Sequence, residues 1–261
     1  MAIDTKLISQ LREMTGAGVG DCKAALEEAA GDLNKAIEVL RKKGAVKAAK
    51  KSDRVTNEGV IAQVINGGKI ATVGLACETD FVALTEGFIK TVEDYAKKLM
   101  EVGETAFKAW AEDNIKNELI AKVGENIQLT VSQIVEGEVI GTYIHSNKKI
   151  AAAVALKGGT SAIGNELAMQ IAAMSPLYVK PEDVKPEEIE REKEIYREQL
   201  KTEGKPEAMW DKIIPGKLNK FYQEVCLLNQ PFIKEDKLSV QQWLTQQGSG
   251  IEVVTFSRYS I

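Results

Sequence analysis

A carboxylate and an aromatic ring stand side by side in residues 76–82, the segment best suited to act on another molecule. Asp80 precedes Phe81, between a mostly apolar run and a helical pattern of apolar residues. The start of a helix leaves backbone N–H groups unpaired and carries partial positive charge, which stabilises an aspartate there. If this corner is exposed, it is a rigid apolar tip beside an anion. The simpler interpretation is that Asp80 only caps the helix and Phe81 is its first core residue.

The residue types needed for covalent or metal chemistry are sparse. His145 is the one histidine, and the three cysteines (Cys22, Cys77 and Cys226) are far apart with no CxxC pair. A zinc site is therefore not expected, and any catalytic triad would have to be built around His145. An enzyme that uses Cys77 or His145 is the weaker hypothesis, because Cys77 has no basic neighbour in sequence and a lone histidine on a strand is more often structural.

A glycine-rich segment at residues 15–20 resembles a phosphate-binding loop only superficially. Gly16, Gly18 and Gly20 are closely spaced, but a helical pattern precedes them where a phosphate loop would follow a strand. No Gly-Lys-Ser/Thr sequence follows either. We expect a turn that offers a contact surface.

Composition limits the class of protein. The chain has 261 residues, 44% hydrophobic and 28% charged, with a net charge of −4. This composition predicts a globular protein of about two domains, or of one domain with a small appendage, and gives no general electrostatic argument for nucleic-acid binding. No apolar run approaches the roughly 20 residues of a membrane span. An odd number of separated cysteines and the absence of a signal-peptide pattern favour the cytoplasm.

Helical periodicity predicts a small three-helix module at residues 1–44, and this module resembles the ubiquitin-associated type. Its helices are expected to run from residue 4 to 15, from Asp21 to Ala29, and from Asp32 to a stop at Gly44. Residues 45–57 follow as a linker with four basic residues: Lys47, Lys50, Lys51 and Arg54. A solvated linker is expected here, since no aromatic residue is available to stack on bases.

The remaining sequence predicts an α+β core made of a duplicated hairpin-plus-helix unit. Strands at residues 59–65 and 69–76 flank the turn Asn66-Gly67-Gly68, and similar strands begin at Gly141 and Lys149. The first half, residues 58–140, is expected to carry one helix from Phe81 past Leu99, a second at about residues 105–123, and a strand at 127–135. The second half comprises residues 141–185 and 223–261, with a last strand that rejoins its sheet.

Residues 186–222 interrupt the second half as a projecting helical hairpin. A highly charged helix from Glu187 to Thr202 is followed by a turn at residues 204–206 and a second helix. The predicted fold class is therefore α+β, with a three-helix N-terminal module, a duplicated core and this hairpin.

Several separated motifs occur in order across essentially the whole chain: residues 15–18 with 21–26, Thr79-Asp80-Phe81-Val82, Gly124-Glu125-Asn126, residues 143–145, Ser175-Pro176 and Gln230-Pro231-Phe232. Together they resemble the elongation factor Ts family, the guanine-nucleotide exchange factors of elongation factor Tu. The resemblance implies a binding protein that needs no nucleophile, metal or cofactor. It also implies contacts with the G domain of elongation factor Tu and with its C-terminal barrel domain.

The resemblance also assigns residues to the contact with elongation factor Tu. One set matches the tip that enters beside the partner's magnesium site and promotes GDP release: Thr79, Asp80, Phe81 and Val82. Further contacts match Gly124, His145 and the pair Val19-Gly20, where the family often has two methionines. The resemblance is compatible with a dimer of heterodimers and implies no direct contact with nucleic acid or membrane. The alternative hypothesis is an adaptor that binds another protein through the three-helix domain.

Overall fold

The N-terminal part of the molecule is a bundle of three helices. The structure is a computed structural model that describes residues 3–49 and 51–261. The three helices are α1 (Thr5–Thr15), α2 (Val19–Glu28) and α3 (Leu33–Ala49). Leu11, Cys22 and Leu26 are fully buried between them, and the Asp4 carboxylate caps α1 by accepting from Lys6 N at 3.0 Å. The apolar stripes seen in the sequence thus form the small core of the bundle.

The predicted stop of the third helix at Gly44 is wrong, because α3 continues to Ala49. A Cβ added at Gly44 would lie 2.9 Å from the carbonyl oxygen of Asn117. This glycine therefore allows two helices to approach closely and does not end one. Of the predicted basic linker, Lys50 and the side chain of Lys47 lie outside the described residues.

Two three-stranded antiparallel sheets form the core. The first contains β1 (Glu58–Asn66), β2 (Lys69–Cys77) and β3 (Gln128–Glu136), in that order. The second has the order β4 (Val139–Ile144), β5 (Ile150–Lys157) and β8 (Glu252–Ser260). The hairpin at Asn66-Gly67-Gly68 and the return of the last strand to the second sheet are confirmed.

The two sheets pack face to face, with a helix on the outer side of each. Alternate residues of β5 point in opposite directions: Val154 joins a cluster with α7 (Ser161–Met174), while Ala153 packs against Ile70 of the first sheet. Polar contacts also cross between the sheets, since Gln63 Nε2 donates to the Ala152 carbonyl at 3.2 Å. The molecule is therefore an α+β fold with the two three-stranded sheets as its central layers.

The helical region of the first half differs from the prediction of one helix starting near Phe81. It is divided into α4 (Asp80–Ala83) and α5 (Glu86–Asn114), because the Thr85 hydroxyl caps a new helix by accepting from Phe88 N at 3.3 Å. Gly103 kinks α5 with φ 77°, where the sequence predicts a gap between helices. A π-helical segment (Ile115–Leu119) and α6 (Ile120–Val123) complete the region.

The helical hairpin consists of α8 (Pro186–Thr202) and α9 (Trp210–Val225). A short ribbon of β6 (Pro231–Phe232) and β7 (Glu235–Ser239), followed by α10 (Val240–Gln247), leads back to β8. Among the described residues, none of the helices has both the length and the apolar character needed to cross a membrane.

Candidate functional site

The corner between β2 and α4 presents its aromatic ring to solvent. Thr79 is the cap of α4, and its hydroxyl accepts from Val82 N at 3.4 Å. Phe81 is 83% exposed, so the interpretation of this ring as the first core residue is wrong. Asp80 is also exposed and lies in the first turn of α4, where the helix dipole favours an anion.

The inner and outer sides of α4 explain why the ring points outward. Ala83 is buried and Val82 packs against the core, so these two residues form the inner side of α4. Phe81 and Leu84, three residues apart, therefore share the outer side. Leu84 is 74% exposed. The corner thus carries a small apolar surface beside the Asp80 carboxylate.

The carboxylate of Glu125, which the sequence did not single out, holds the backbone of this corner. Its Oε2 accepts from the backbone N–H groups of Glu78 and Thr79, both at 3.0 Å. Its Oε1 accepts from the Thr79 hydroxyl at 2.5 Å. The available signal was the Gly124-Glu125-Asn126 motif, in which Glu125 follows a glycine that ends a helix.

A second set of hydrogen bonds runs from the loop back to the corner. The Glu78 carboxylate accepts from Asn126 N at 2.7 Å and pairs with Arg54 at 3.4 Å. The hydrogen bond from Asn126, with a further contribution from Arg54, lowers the pKa of Glu78 below its ordinary value. Asn126 Nδ2 in turn donates to the Arg54 carbonyl at 2.8 Å. The segment before β1 is therefore joined to the same corner.

Gly124 lies at this junction. It ends α6 with φ 87°, a left-handed conformation that favours glycine, and it is exposed. Its carbonyl accepts a hydrogen bond from Lys51 Nζ. Gly124, which precedes Glu125 in the same loop, thus lies next to the corner at residues 79–82.

Val19 and Gly20 belong to a different surface, on the three-helix bundle. The prediction that Asp21 opens the second helix is wrong, since α2 begins at Val19 with Gly18 as its cap. Val19 is 53% exposed, and among the described residues no atom beyond the local helix backbone and the chain neighbours lies within 4 Å of a Cβ built on Gly20. Both residues are therefore accessible to a partner.

His145 directly follows β4 and is exposed, which does not fit a buried structural role. Its Nδ1 lies 3.0 Å from the Tyr143 hydroxyl. The turn that it opens is bound to the first sheet, where Lys149 Nζ lies 2.5 Å from the Glu58 carboxylate. Because Glu58 pairs with Cys77 across the β1–β2 hairpin, this turn joins the end of the hairpin that leads into the corner.

The cysteines of the chain are buried thiols. Burial, as the largest influence, raises the pKa of Cys77 to about 11 and that of Cys226 to about 11. Thiolates are the nucleophilic form, so these side chains are unreactive near neutral pH. The proximity of Cys77 to the corner therefore does not supply a nucleophile there.

Comparison with known proteins identifies the family. The sequence model of the family described as Elongation factor TS matches residues 78–261. The elongation factor Ts of Hydrogenobaculum sp. (strain Y04AAS1) is 43% identical, over 100% of this chain and 99% of that protein. The chain belongs to the elongation factor Ts family. The elongation factor Ts of Aquifex aeolicus (strain VF5) is 41% identical over 100% of this chain and 98% of its own.

A third relative extends the comparison. The elongation factor Ts of Psychromonas ingrahamii is 40% identical over 100% of this chain and 91% of that protein. The region matched by the elongation factor Ts family begins at Glu78, so it contains the corner, the loop at residues 124–126 and His145.

Proposed function

We propose that this chain is a guanine-nucleotide exchange factor for elongation factor Tu, and that it acts in the cytoplasm during protein synthesis. Family membership supports the choice of partner. The observation that carries the mechanism is the 83% exposure of Phe81 beside Asp80. An aromatic ring that water surrounds in the free protein gains free energy when a partner buries it.

In this mechanism Phe81 enters an apolar pocket beside the partner's magnesium site, with Asp80 alongside. The insertion disturbs the magnesium and phosphate contacts that hold GDP. The coupling is reciprocal, because the factor weakens nucleotide binding by the same ratio by which nucleotide weakens binding of the factor. Burial of one Phe side chain contributes roughly 1.5–3 kcal/mol. If the transition state for GDP release gains this burial in full, about 1.4 kcal/mol per tenfold gives roughly ten- to hundredfold faster release of GDP.

The remaining predicted residues hold the complex together. Residues 1–44 act as a partner-binding module that contacts the G domain through Val19 and Gly20, and Gly124 approaches the nucleotide-binding side of the same domain. His145, in the second half of the core, contacts the C-terminal barrel. Because the factor acts by binding alone, it makes and breaks no covalent bond and requires no cofactor.

Stopped-flow release of fluorescent GDP from elongation factor Tu tests this function. We expect the full chain to accelerate release to a maximum that saturates with factor concentration. In EDTA, the acceleration should be smaller, because magnesium is already removed. If release with saturating factor matches release without it, the proposed function is wrong.

A further inference from the structure

We propose that Glu125 is a positioning residue for nucleotide exchange, which holds the corner so that Phe81 already projects before the partner arrives. This inference rests on the proposed function for its activity readout. Its structural basis is the set of hydrogen bonds that join residues 78 and 79, between β2 and α4, to the loop at residues 124–126; we name this set the clasp.

One carboxylate collects three hydrogen bonds in the clasp. The backbone N–H groups of Glu78 and Thr79 both point at Oε2 of Glu125, and the Thr79 hydroxyl points at Oε1. An ionised carboxylate only accepts hydrogen bonds, and such charge-assisted bonds are stronger than neutral ones. The two residues that immediately precede α4 are therefore fixed by a group 46 or 47 residues away in sequence.

The effect of Glu125 reaches α4 through the Thr79 hydroxyl. Since this hydroxyl uses its one hydrogen in the bond to Glu125, its lone pairs remain free to accept a hydrogen bond from Val82 N. That hydrogen bond is the side-chain cap of α4. A helix of four residues is too short to be stable by itself. Glu125 therefore orients the group that starts the helix on which Phe81 stands.

The loop that carries Glu125 is itself held from two sides. Asn126 N donates to the Glu78 carboxylate at 2.7 Å, so the corner binds the loop in return. Lys51 Nζ donates to the Gly124 carbonyl, and Asn126 Nδ2 donates to the carbonyl of Arg54. Glu125 thus belongs to a network that is assembled in the free protein.

Such a clasp lowers the entropic cost of binding. A corner that is disordered before binding loses backbone freedom when it inserts, and preorganisation removes that loss. The ring of Phe81 is 83% exposed, so packing against the core contributes little to its orientation. Its direction is therefore determined by the backbone of α4 and by what holds that backbone.

The test compares Glu125→Gln and Glu125→Ala with Glu104→Gln in the full chain. Glutamine keeps one oxygen that accepts from the backbone N–H groups, but its NH2 group cannot accept the hydrogen bond from the Thr79 hydroxyl. Glu104 is a matched control because its carboxylate also accepts a backbone hydrogen bond, from Ile134 N at 2.7 Å, away from the corner. We expect the maximal rate of GDP release to fall severalfold with Gln and about tenfold with Ala, and to stay at the wild-type value for Glu104→Gln.

Two further readouts distinguish positioning from a general loss of stability. Amide hydrogen exchange at Glu78 and Thr79 should accelerate in both Glu125 variants and not in Glu104→Gln. In a Phe81→Ala background, Glu125→Gln should cause little further loss of the maximal rate, because both changes remove the same oriented ring.

The inference is overturned if Glu125→Gln keeps wild-type exchange at both amides and the wild-type maximal rate. It is equally overturned if the losses from Glu125→Gln and Phe81→Ala multiply in full, since Glu125 would then act independently of the ring. If the wild-type chain itself does not accelerate GDP release, the proposed function fails, and the amide exchange alone decides whether Glu125 orders the corner.

Discussion

At the scale of single residues, exposure separates the groups that can meet a partner from those that only fold the chain. Phe81 and His145 are both exposed, whereas Cys77 is buried and its pKa is raised to about 11. The Cys77 thiol is thus inaccessible, whereas the rings of Phe81 and His145 are presented to solvent. This distribution supports the proposed action through binding.

His145→Ala should weaken the complex with nucleotide-free elongation factor Tu severalfold, as expected for the loss of one peripheral contact of about 1 kcal/mol. The melting temperature should be unchanged, because the ring is exposed. Titration calorimetry measures the affinity, and Tyr143→Phe serves as control since it removes only the hydroxyl near Nδ1. A large drop in melting temperature with unchanged affinity would instead assign His145 a structural role.

At the scale of elements, the corner and its neighbours show which features local sequence can predict. The β1–β2 hairpin follows from Asn66-Gly67-Gly68, because the turn residues determine the connection locally. The exposure of Phe81 could not be read from spacing, since residues 81, 84 and 88 have the same three- and four-residue steps as a buried stripe. The cap at Thr85 was the missed local signal, because it starts a new helix.

Other features of the same elements depend on tertiary contacts that local sequence does not contain. A glycine at residue 44 is equally compatible with a helix stop and with a close helix crossing, and only the position of Asn117 decides between them. Glu125 acts on residues 46 and 47 positions away. Most helices and strands can thus be predicted from the local sequence, whereas the hydrogen bonds from Glu125 that hold the corner cannot.

Gly44→Ala should lower the free energy of unfolding by about 1–2 kcal/mol, although alanine favours helices by about 1 kcal/mol over glycine. The reason is that the new Cβ would meet the backbone oxygen of Asn117 at 2.9 Å. Gly216→Ala is the matched control, because Gly216 lies inside α9 and, in the part of the chain that the structure describes, only its own helix backbone and chain neighbours come within 4 Å of the added Cβ. Chemical denaturation of both variants measures the difference; stabilisation of both would contradict the close crossing at Gly44.

The clasp should depend on pH through Glu78. Its pKa is lowered in the folded protein from an ordinary value of 4.5, mainly by the hydrogen bond from Asn126 N. The ionised carboxylate therefore contributes stability that is fully present above about pH 4.5 and is lost as the pH falls through the lowered value. Melting curves of wild type and Glu78→Gln should differ most near neutral pH and converge in acid. A difference that stays constant down to pH 3 would argue against this contribution.

At the scale of the whole molecule, separate parts of the chain converge on one corner. The two sheets form a central double layer, and the end of the β1–β2 hairpin leads into Thr79 and Phe81. The helical bundle is tied to the same half through the pair of Arg41 and Glu118, at 2.8 Å. The fold therefore supplies a firm base for an exposed ring, as the proposed insertion into a partner requires.

Stopped-flow release of fluorescent GDP from elongation factor Tu, at saturating wild-type chain, Phe81→Ala or Ile65→Ala, tests the central claim most directly. Ile65 is the control because it is an apolar side chain, 56% exposed, at the opposite end of the β1–β2 hairpin. We predict that Phe81→Ala lowers the maximal release rate roughly ten- to hundredfold with unchanged folding, and that Ile65→Ala matches wild type. A Phe81→Ala chain that releases GDP as fast as wild type at saturation would contradict the account.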